Sequence, residues 1–397
     1  MIETLAISGY RSLRNIVLSL GRLNLVTGAN GTGKSSLYRA LRLLADAALN
    51  TVVGSLAREG GLPSTLWAGP ETISRSVRLG EHPVQGTPRQ KAVSLKLGFA
   101  GDPFSYCIDL GYPPPPPPPP PPPTLFNLDP EIKRECIWHG SVYRRAAVLV
   151  DRAHRVVQLS PAKTAKHEEP ALLTKELSST DSMLASIADP QRAPEMLAVR
   201  ESIRRWRFYE GFRTDQASPA RIPRIGTRTP VLNDEGTDLP ATLQTIREIG
   251  DLAALDRTVD DAFPGSRVGV EVQNGRFEVQ LHQHGLLRPL SAAELSDGTL
   301  RFLLWTAALL TPRPPELMVL NEPETSLHPD LLPALARLIA HAAARTQIVV
   351  VSHSLSLIES LEENESCRRL HLEKSFGETT VAGQTRFNTP KWEWPAR

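Results

Sequence analysis

Cysteine is scarce in this chain of 397 residues: there are three, Cys107, Cys136 and Cys367, spaced far apart and with no Cys-x-x-Cys. That count excludes a disulfide framework and a cysteine zinc site, and it fits thiols kept reduced. Aromatic residues are few, at 6%. No apolar run approaches the roughly twenty residues that span a bilayer, so no membrane partner is expected. Met1-Ile2-Glu3 opens no basic region followed by an apolar core, so no signal peptide is expected and the chain reads as cytoplasmic. Net charge is also missing. Against 45 Lys and Arg stand 43 Asp and Glu, leaving +2, so any basic contact surface has to be local. Neither a repeat with a period of about 20–50 residues nor a sustained heptad pattern is present. What remains, 41% hydrophobic and 22% charged, is ordinary globular composition in a chain long enough for two or three domains.

The most informative stretch is Gly28-Ala29-Asn30-Gly31-Thr32-Gly33-Lys34-Ser35. An apolar run, Leu23 to Thr27, precedes it as a strand, and Ser36 to Leu49 follows as a helix. Glycines let such a loop wrap with its backbone N–H groups turned inward on phosphate oxygens. Lys34 can reach the terminal phosphates, Ser35 can ligate magnesium, and the helix N-terminus adds attraction for the anion. The spacing predicts a nucleoside triphosphate site. Its phosphate-binding residues are Gly28, Asn30, Gly31, Thr32, Gly33, Lys34, Ser35 and Ser36.

Around this loop the pattern alternates between strand and helix. Residues 2–20 read as a β-hairpin, and residues 93–99 and 104–110 show the period of half-buried antiparallel strands. Pro113 to Pro123 is an unbroken proline run that can only be polyproline II, placed at an elongated hairpin tip. Strand-like runs follow at residues 135–138, 142–150 and 155–159. From about Glu169 the period becomes helical, through Leu172, Leu173, Leu177, Met183, Leu184 and Ile187, and again from Pro194 to Phe208. Between Arg192 and Arg228 nine arginines face four acids, with Trp206, Phe208, Tyr209 and Phe212 interleaved. Two readings stand: phosphate-backbone contact with base stacking, or an amphipathic helix with aromatics toward the core. Helices are expected at Leu239 to Ile249 and Ala253 to Phe263. A hairpin turning at Asn274-Gly275 is expected within residues 267–283.

Three further constellations close the chain. Leu295-Ser296-Asp297-Gly298-Thr299 opens a helix, with Ser296 as N-cap and Gly298 permitting close approach to an anion. Leu317 to Leu320 makes a buried parallel strand ending in Asn321-Glu322-Pro323-Glu324, where ligands of open α/β sheets sit. Glu322 is placed to orient or deprotonate an attacking water. Ile348 to Val351 makes another such strand, and His353 beyond it can donate to the γ-phosphate. The catalytic candidates are therefore Glu322, His353 and Lys34. Ser296 and Gly298 join the nucleotide-binding set, and Ser35 and Asn321 are the metal candidates.

With these motifs in this order the chain resembles the RecF, RecN and SMC-type branch of the ABC ATPases, and within it the stand-alone RecF-type ATPases. The resemblance covers nearly the whole length and rests on Gly28 to Ser35 (Walker A), Leu295 to Thr299 (signature), Leu320 to Glu324 (Walker B), Glu324 to Pro329 (D-loop region) and Ser352-His353-Ser354 (switch histidine). It implies an α/β fold: a P-loop NTPase with an ABC-type ATPase head, a mixed or parallel core sheet, an antiparallel β arm and a helical insertion. The implied division is residues 1–165 and 261–397 as two parts of one head, with residues 166–260 as a helical, basic insertion. ATP and Mg2+ are the implied cofactors. ATP would hold a head-to-head homodimer in which Ser296 and Gly298 act in trans, and DNA is the implied partner in repair or genome maintenance. A protein effector gated by nucleotide is the alternative. Asn321 stands where the family has an aspartate, so the metal loses a charge and turnover is expected to slow. The cysteine hook and coiled coil of SMC-like members are absent, and the 44 residues after His353 are too few for an appended nuclease domain.

Overall fold

The computed structural model describes residues 1–72, 75–78, 81, 92–114, 125–160, 170–385 and 387–397. The proline run from residue 115 onward and the expected boundary at 165/166 lie outside the described residues. The chain forms two compact units, one from residues 1–20, 28–205 and 371–397, the other from residues 21–27 and 206–370.

The first unit is built on an eight-stranded antiparallel sheet. Its order is Leu13–Ser19, Ile2–Tyr10, Leu95–Gly101, Phe104–Gly111, Glu131–His139, Val148–Ala153, Val156–Leu159, Ala171–Thr174. The opening hairpin forms as expected, with Tyr10 opposite Leu13. The Leu95–Gly101 and Phe104–Gly111 strands also pair antiparallel, but they are buried along nearly their whole length rather than on one face. The amphipathic helix Lys34–Leu49 packs on the Ile2–Tyr10 and Leu95–Gly101 strands through a face that includes Leu37, Leu41 and Leu44. Small side chains elsewhere admit a second layer. A Cβ at Gly98 would collide with the Trp392 ring, and Trp392 packs with Cys107, Cys136 and Trp138.

The helical periodicity after residue 169 is not realised as expected. Ala171–Thr174 is an edge strand, and within residues 171–187 only the single turn Met183–Ser186 is helical. The reason is a buried ion pair that recruits this backbone. Glu135 accepts from Tyr106 Oη, Ser182 Oγ, Arg152 Nη1 and Met183 N, while Arg152 Nη2 donates to the Ser178 carbonyl at 2.7 Å. Both charges are fully buried, and partners on every side offset the cost of desolvating them.

The second unit holds a parallel sheet in the order Arg207–Tyr209, Leu317–Asn321, Gln347–Val351, with the Leu23–Thr27 portion of the Leu23–Gly28 strand beside the last. Apolar runs without alternation are what a sheet covered on both faces needs, and Leu317 to Leu320 and Ile348 to Val351 are all buried. The helix Leu332–Ala343 makes the crossover between two of these strands. The Pro194–Phe208 expectation splits: the helix ends at Arg204, and Arg207–Tyr209 becomes the edge strand. Pairing with Met318 to Leu320 outweighs helical periodicity there. Phe212 stacks edge-on against Trp305 with ring centroids 4.8 Å apart. The helices Leu239–Ile249 and Leu252–Ala262 form as expected. So does the hairpin, with Asn274 and Gly275 both at positive φ between Gln273 and Arg276. Among the described residues no helix is long and apolar enough to cross a membrane.

Candidate functional site

The loop Gly28–Ser35 follows directly on the strand that begins at Leu23. Gly28, Gly31 and Gly33 all take positive φ. Glycine is required at position 33 twice over: φ is 107°, and a Cβ would strike the Thr379 hydroxyl. The Thr379 hydroxyl donates to the Thr32 carbonyl at 2.7 Å and lies 2.8 Å from Ser12 Oγ. Lys34 is buried, and its Nζ donates to the carbonyls of Gly28 at 2.6 Å and Ala29 at 3.0 Å. The ammonium is thus held over the loop it serves. The first bond of the helix runs from Leu37 N to Gly33 O at 2.9 Å, so the amides of Lys34, Ser35 and Ser36 precede it and have no partner within the helix. Ser35 is exposed and Ser36 half-buried.

In the second unit three parallel strands end in register. Val26 lies opposite Val351, and Val351 opposite Asn321. The strands that lead to Gly28, to the Asn321-Glu322 turn and to the His353 turn therefore end at one edge of one sheet. Asn321 Oδ1 is buried and has no hydrogen-bond partner among the described residues. Glu322 extends the sheet by donating its N–H to the Val351 carbonyl at 2.8 Å, and its φ of 49° is a conformation that a side chain adopts at a cost of about 1 kcal/mol. His353 Nδ1 lies 3.5 Å from Glu322 Oε1 and 3.6 Å from Glu324 Oε1. Glu324, unlike the half-exposed Glu322 and His353, is buried. Its Oε1 accepts from Ser352 Oγ at 2.6 Å, His353 N at 3.0 Å and Ser354 N at 3.2 Å.

The Asp297–Leu309 helix is prepared by two caps in succession. Ser291 and Glu294 form a capping box just before it, and Glu294 is held down to about 2, first by the Arg288 guanidinium and then by the Ser291 N–H. Ser296 Oγ then accepts from Thr299 N at 3.1 Å. A Cβ at Gly298 would meet only the Ser326 carbonyl, at an ordinary 3.6 Å, so nothing described in the chain requires glycine there. Arg301 ties the same helix to the turn after Glu324 by donating to the Thr325 carbonyl at 3.1 Å.

The structure thus gathers Asn321, Glu322 and His353 on one sheet edge, and it places Gly28 to Ser36 on a loop and helix start of the other unit. Sequence reasoning missed Glu324, Thr379 and Arg221. Glu324 had a signal, a second carboxylate two residues after the first. Thr379 had none, since it meets Thr32 across 347 residues. The arginine-aromatic segment resolves against base stacking by its rings: Trp206, Phe208, Tyr209 and Phe212 are all buried. The two predicted metal candidates each carry an oxygen of the kind magnesium takes, one in each unit. Asn321 offers a buried, unpartnered amide oxygen able to accept from a metal-bound water, and Ser35 offers an exposed hydroxyl.

The family described as "AAA domain, putative AbiEii toxin, Type IV TA system" matches residues 141–359, more than half of the chain. The chain belongs to this AAA family. The matched span contains Ser296, Asn321, Glu322 and His353. Two solved SMC heads resemble this AAA-family chain in fold. One, an SMC head bound to the C-winged helix domain of ScpA, superposes with a TM-score of 0.51 at 12% identity, covering 96% of this chain and 97% of that one. The other, from Pyrococcus furiosus, has an extended coiled coil and is bound to the C-terminal domain of ScpA. Its TM-score is 0.50 at 12% identity, with 96% and 95% covered. No curated protein matches the sequence. The fold is accordingly that of these SMC heads, with an antiparallel sheet, a parallel sheet and added helices.

Proposed function

We propose that this protein binds and hydrolyses ATP with Mg2+, dimerises on ATP, and uses the dimer as a nucleotide-gated switch on a partner effector protein. The observation that carries the reading is the common sheet edge at which three strands end: the one that leads into the Gly28 loop and the two that lead into the Asn321-Glu322 and His353 turns. Lys34 leaves its loop carbonyls for the phosphates. Ser35 and Asn321 would hold the metal, which supplies positive charge to the phosphates when bound. Glu322 orients the attacking water, and His353, anchored through Glu324, senses the γ-phosphate. Ser296 and Gly298 of a second copy complete the pocket. Gly298 supports this, because a Cβ there would make only an ordinary contact within the chain, so that the need for glycine would come from an approach from outside it. Asn321 brings no charge to the metal, which slows turnover and lengthens the bound state. A long-lived bound state suits a switch, and the toxin wording of the family description points the same way.

DNA action of the RecF type, in repair or genome maintenance, is the second reading. It draws on the exposed Arg204, Arg205 and Arg224 of the 192–228 segment, within the helical, basic insertion proposed for residues 166–260. ATPase rates with and without single-stranded, duplex and junction DNA at two salt concentrations separate the two. The switch reading expects no stimulation, while salt-sensitive stimulation selects DNA action.

A further inference from the structure

The Arg221 side chain is buried, yet all three of its nitrogens are used, two of them on the approach to the signature helix. Nε donates to the carbonyls of Thr214 at 2.9 Å and Asp215 at 3.2 Å. Nη1 donates to the carbonyls of Ala292 at 2.9 Å, Ala293 at 3.3 Å and Leu295 at 2.7 Å. Nη2 donates to Asp297 Oδ1 at 2.7 Å. A planar fork with fixed donor directions is suited to this task, and an ammonium could not reach all of these acceptors at once.

Asp297 poses an electrostatic problem at this position. It is the first residue of the Asp297–Leu309 helix, its side chain is more than half exposed, and it stands between Ser296 and Gly298. A carboxylate in the first turn suits the helix dipole but repels any anion brought to the helix end. Arg221 answers the charge from beneath while fixing the backbone that leads into Ser296.

We infer that Arg221 is the positioning residue of the signature motif: it sets the 292–297 backbone and neutralises Asp297, so that the helix end can accept the γ-phosphate of ATP held by a second copy of this chain. The inference rests on the proposed ATP dimer and goes beyond it, because it names what makes a signature containing aspartate competent for an anion. Arg221 touches no nucleotide itself. Its effect belongs on dimer formation and not on nucleotide capture by the Gly28–Ser35 loop.

The test uses the full-length Glu322→Gln protein as parent. Two readouts are taken: binding of a fluorescent ATP analogue, and Mg-ATP-dependent dimerisation followed by light scattering across protein concentration. Arg221→Met is expected to weaken dimerisation about tenfold or more while changing analogue binding less than about twofold. Adding Asp297→Asn to Arg221→Met is expected to restore most of the loss, since the repelling charge is gone; a merely structural role for Arg221 gives no such rescue. Asp297→Asn alone, at an exposed position that tolerates change, is expected to dimerise as tightly as the parent or more so. Dimerisation of Arg221→Met equal to the parent overturns the inference, as does failure of the double variant to recover or a tenfold loss in Asp297→Asn. A parent that stays monomeric in saturating Mg-ATP overturns the underlying dimer reading and this inference with it.

Discussion

The backbone N–H of His353 donates to Glu324 Oε1 at 3.0 Å, so the turn carrying this histidine hangs on a carboxylate from the neighbouring strand's turn. Ser352 Oγ and Ser354 N share that oxygen. Glu324→Ala strands three donors and is expected to cost about 2–3 kcal/mol of stability by urea unfolding. Glu324→Gln keeps an acceptor and is expected to cost about 1 kcal/mol. Equal, negligible costs for both would mean that the turn stands without the carboxylate.

Gly298 offers a test in which stability and function move in opposite directions. Alanine there meets no neighbour closer than 3.6 Å, and it removes a glycine from a helix, so Gly298→Ala is expected to raise stability by up to about 1 kcal/mol. The same variant is expected to lose ATP-dependent dimerisation, because in the proposed dimer the added methyl would face the incoming second copy. Thermal unfolding and light scattering on one preparation read both; a stabilised variant that still dimerises removes the glycine from the interface.

At position 321 the missing charge can be restored. Asn321→Asp places a carboxylate where the amide oxygen is buried and unpartnered, so without metal the variant is expected to lose about 1–3 kcal/mol. With Mg-ATP the same carboxylate gains a cation, and the magnesium concentration for half-maximal ATPase rate is expected to fall about tenfold. An unchanged magnesium midpoint would place residue 321 outside the metal's surroundings.

The three thiols are expected to resist modification in the folded protein. Burial, and then the neighbouring Glu362 carboxylate, pushes the Cys367 thiol up to about 11. Burial raises Cys107 and Cys136 as well. At pH 8 about one Cys367 thiol in a thousand is ionised, and raising the pH to 10 is expected to speed its reaction with Ellman's reagent about a hundredfold. Denaturant should release three equivalents; rapid native reaction at pH 8 would contradict this burial.

Local grammar made much of this molecule legible. Asn274-Gly275 dictates its own hairpin, and apolar runs ending in Asn321-Glu322 and Ser352-His353 dictate buried parallel strands whose ends carry the candidate residues. What could not be read was decided by distant partners. Residues 171–187 carry a helical period, yet Glu135 and Arg152 recruit their backbone from 26 to 48 positions away. Phe208 and Tyr209 read as helix or as a stacking surface until the Leu317–Asn321 strand makes them an edge strand in the core. Cys107 and Cys136, remote in sequence, lie directly opposite each other across two strands, a matter of register that no spacing reveals. Arg221 was one arginine among nine, and only the fold shows that it binds the turn at Leu295 and Asp297.

Whether two copies share one catalytic pocket is settled most directly by the mass of the Glu322→Gln protein in saturating Mg-ATP, measured by light scattering after size exclusion, with Lys34→Ala as control. The account predicts about twice the monomer mass with ATP, the monomer mass without it, and no shift at all for Lys34→Ala. A Glu322→Gln protein that binds ATP and remains a monomer at every concentration tested would contradict it.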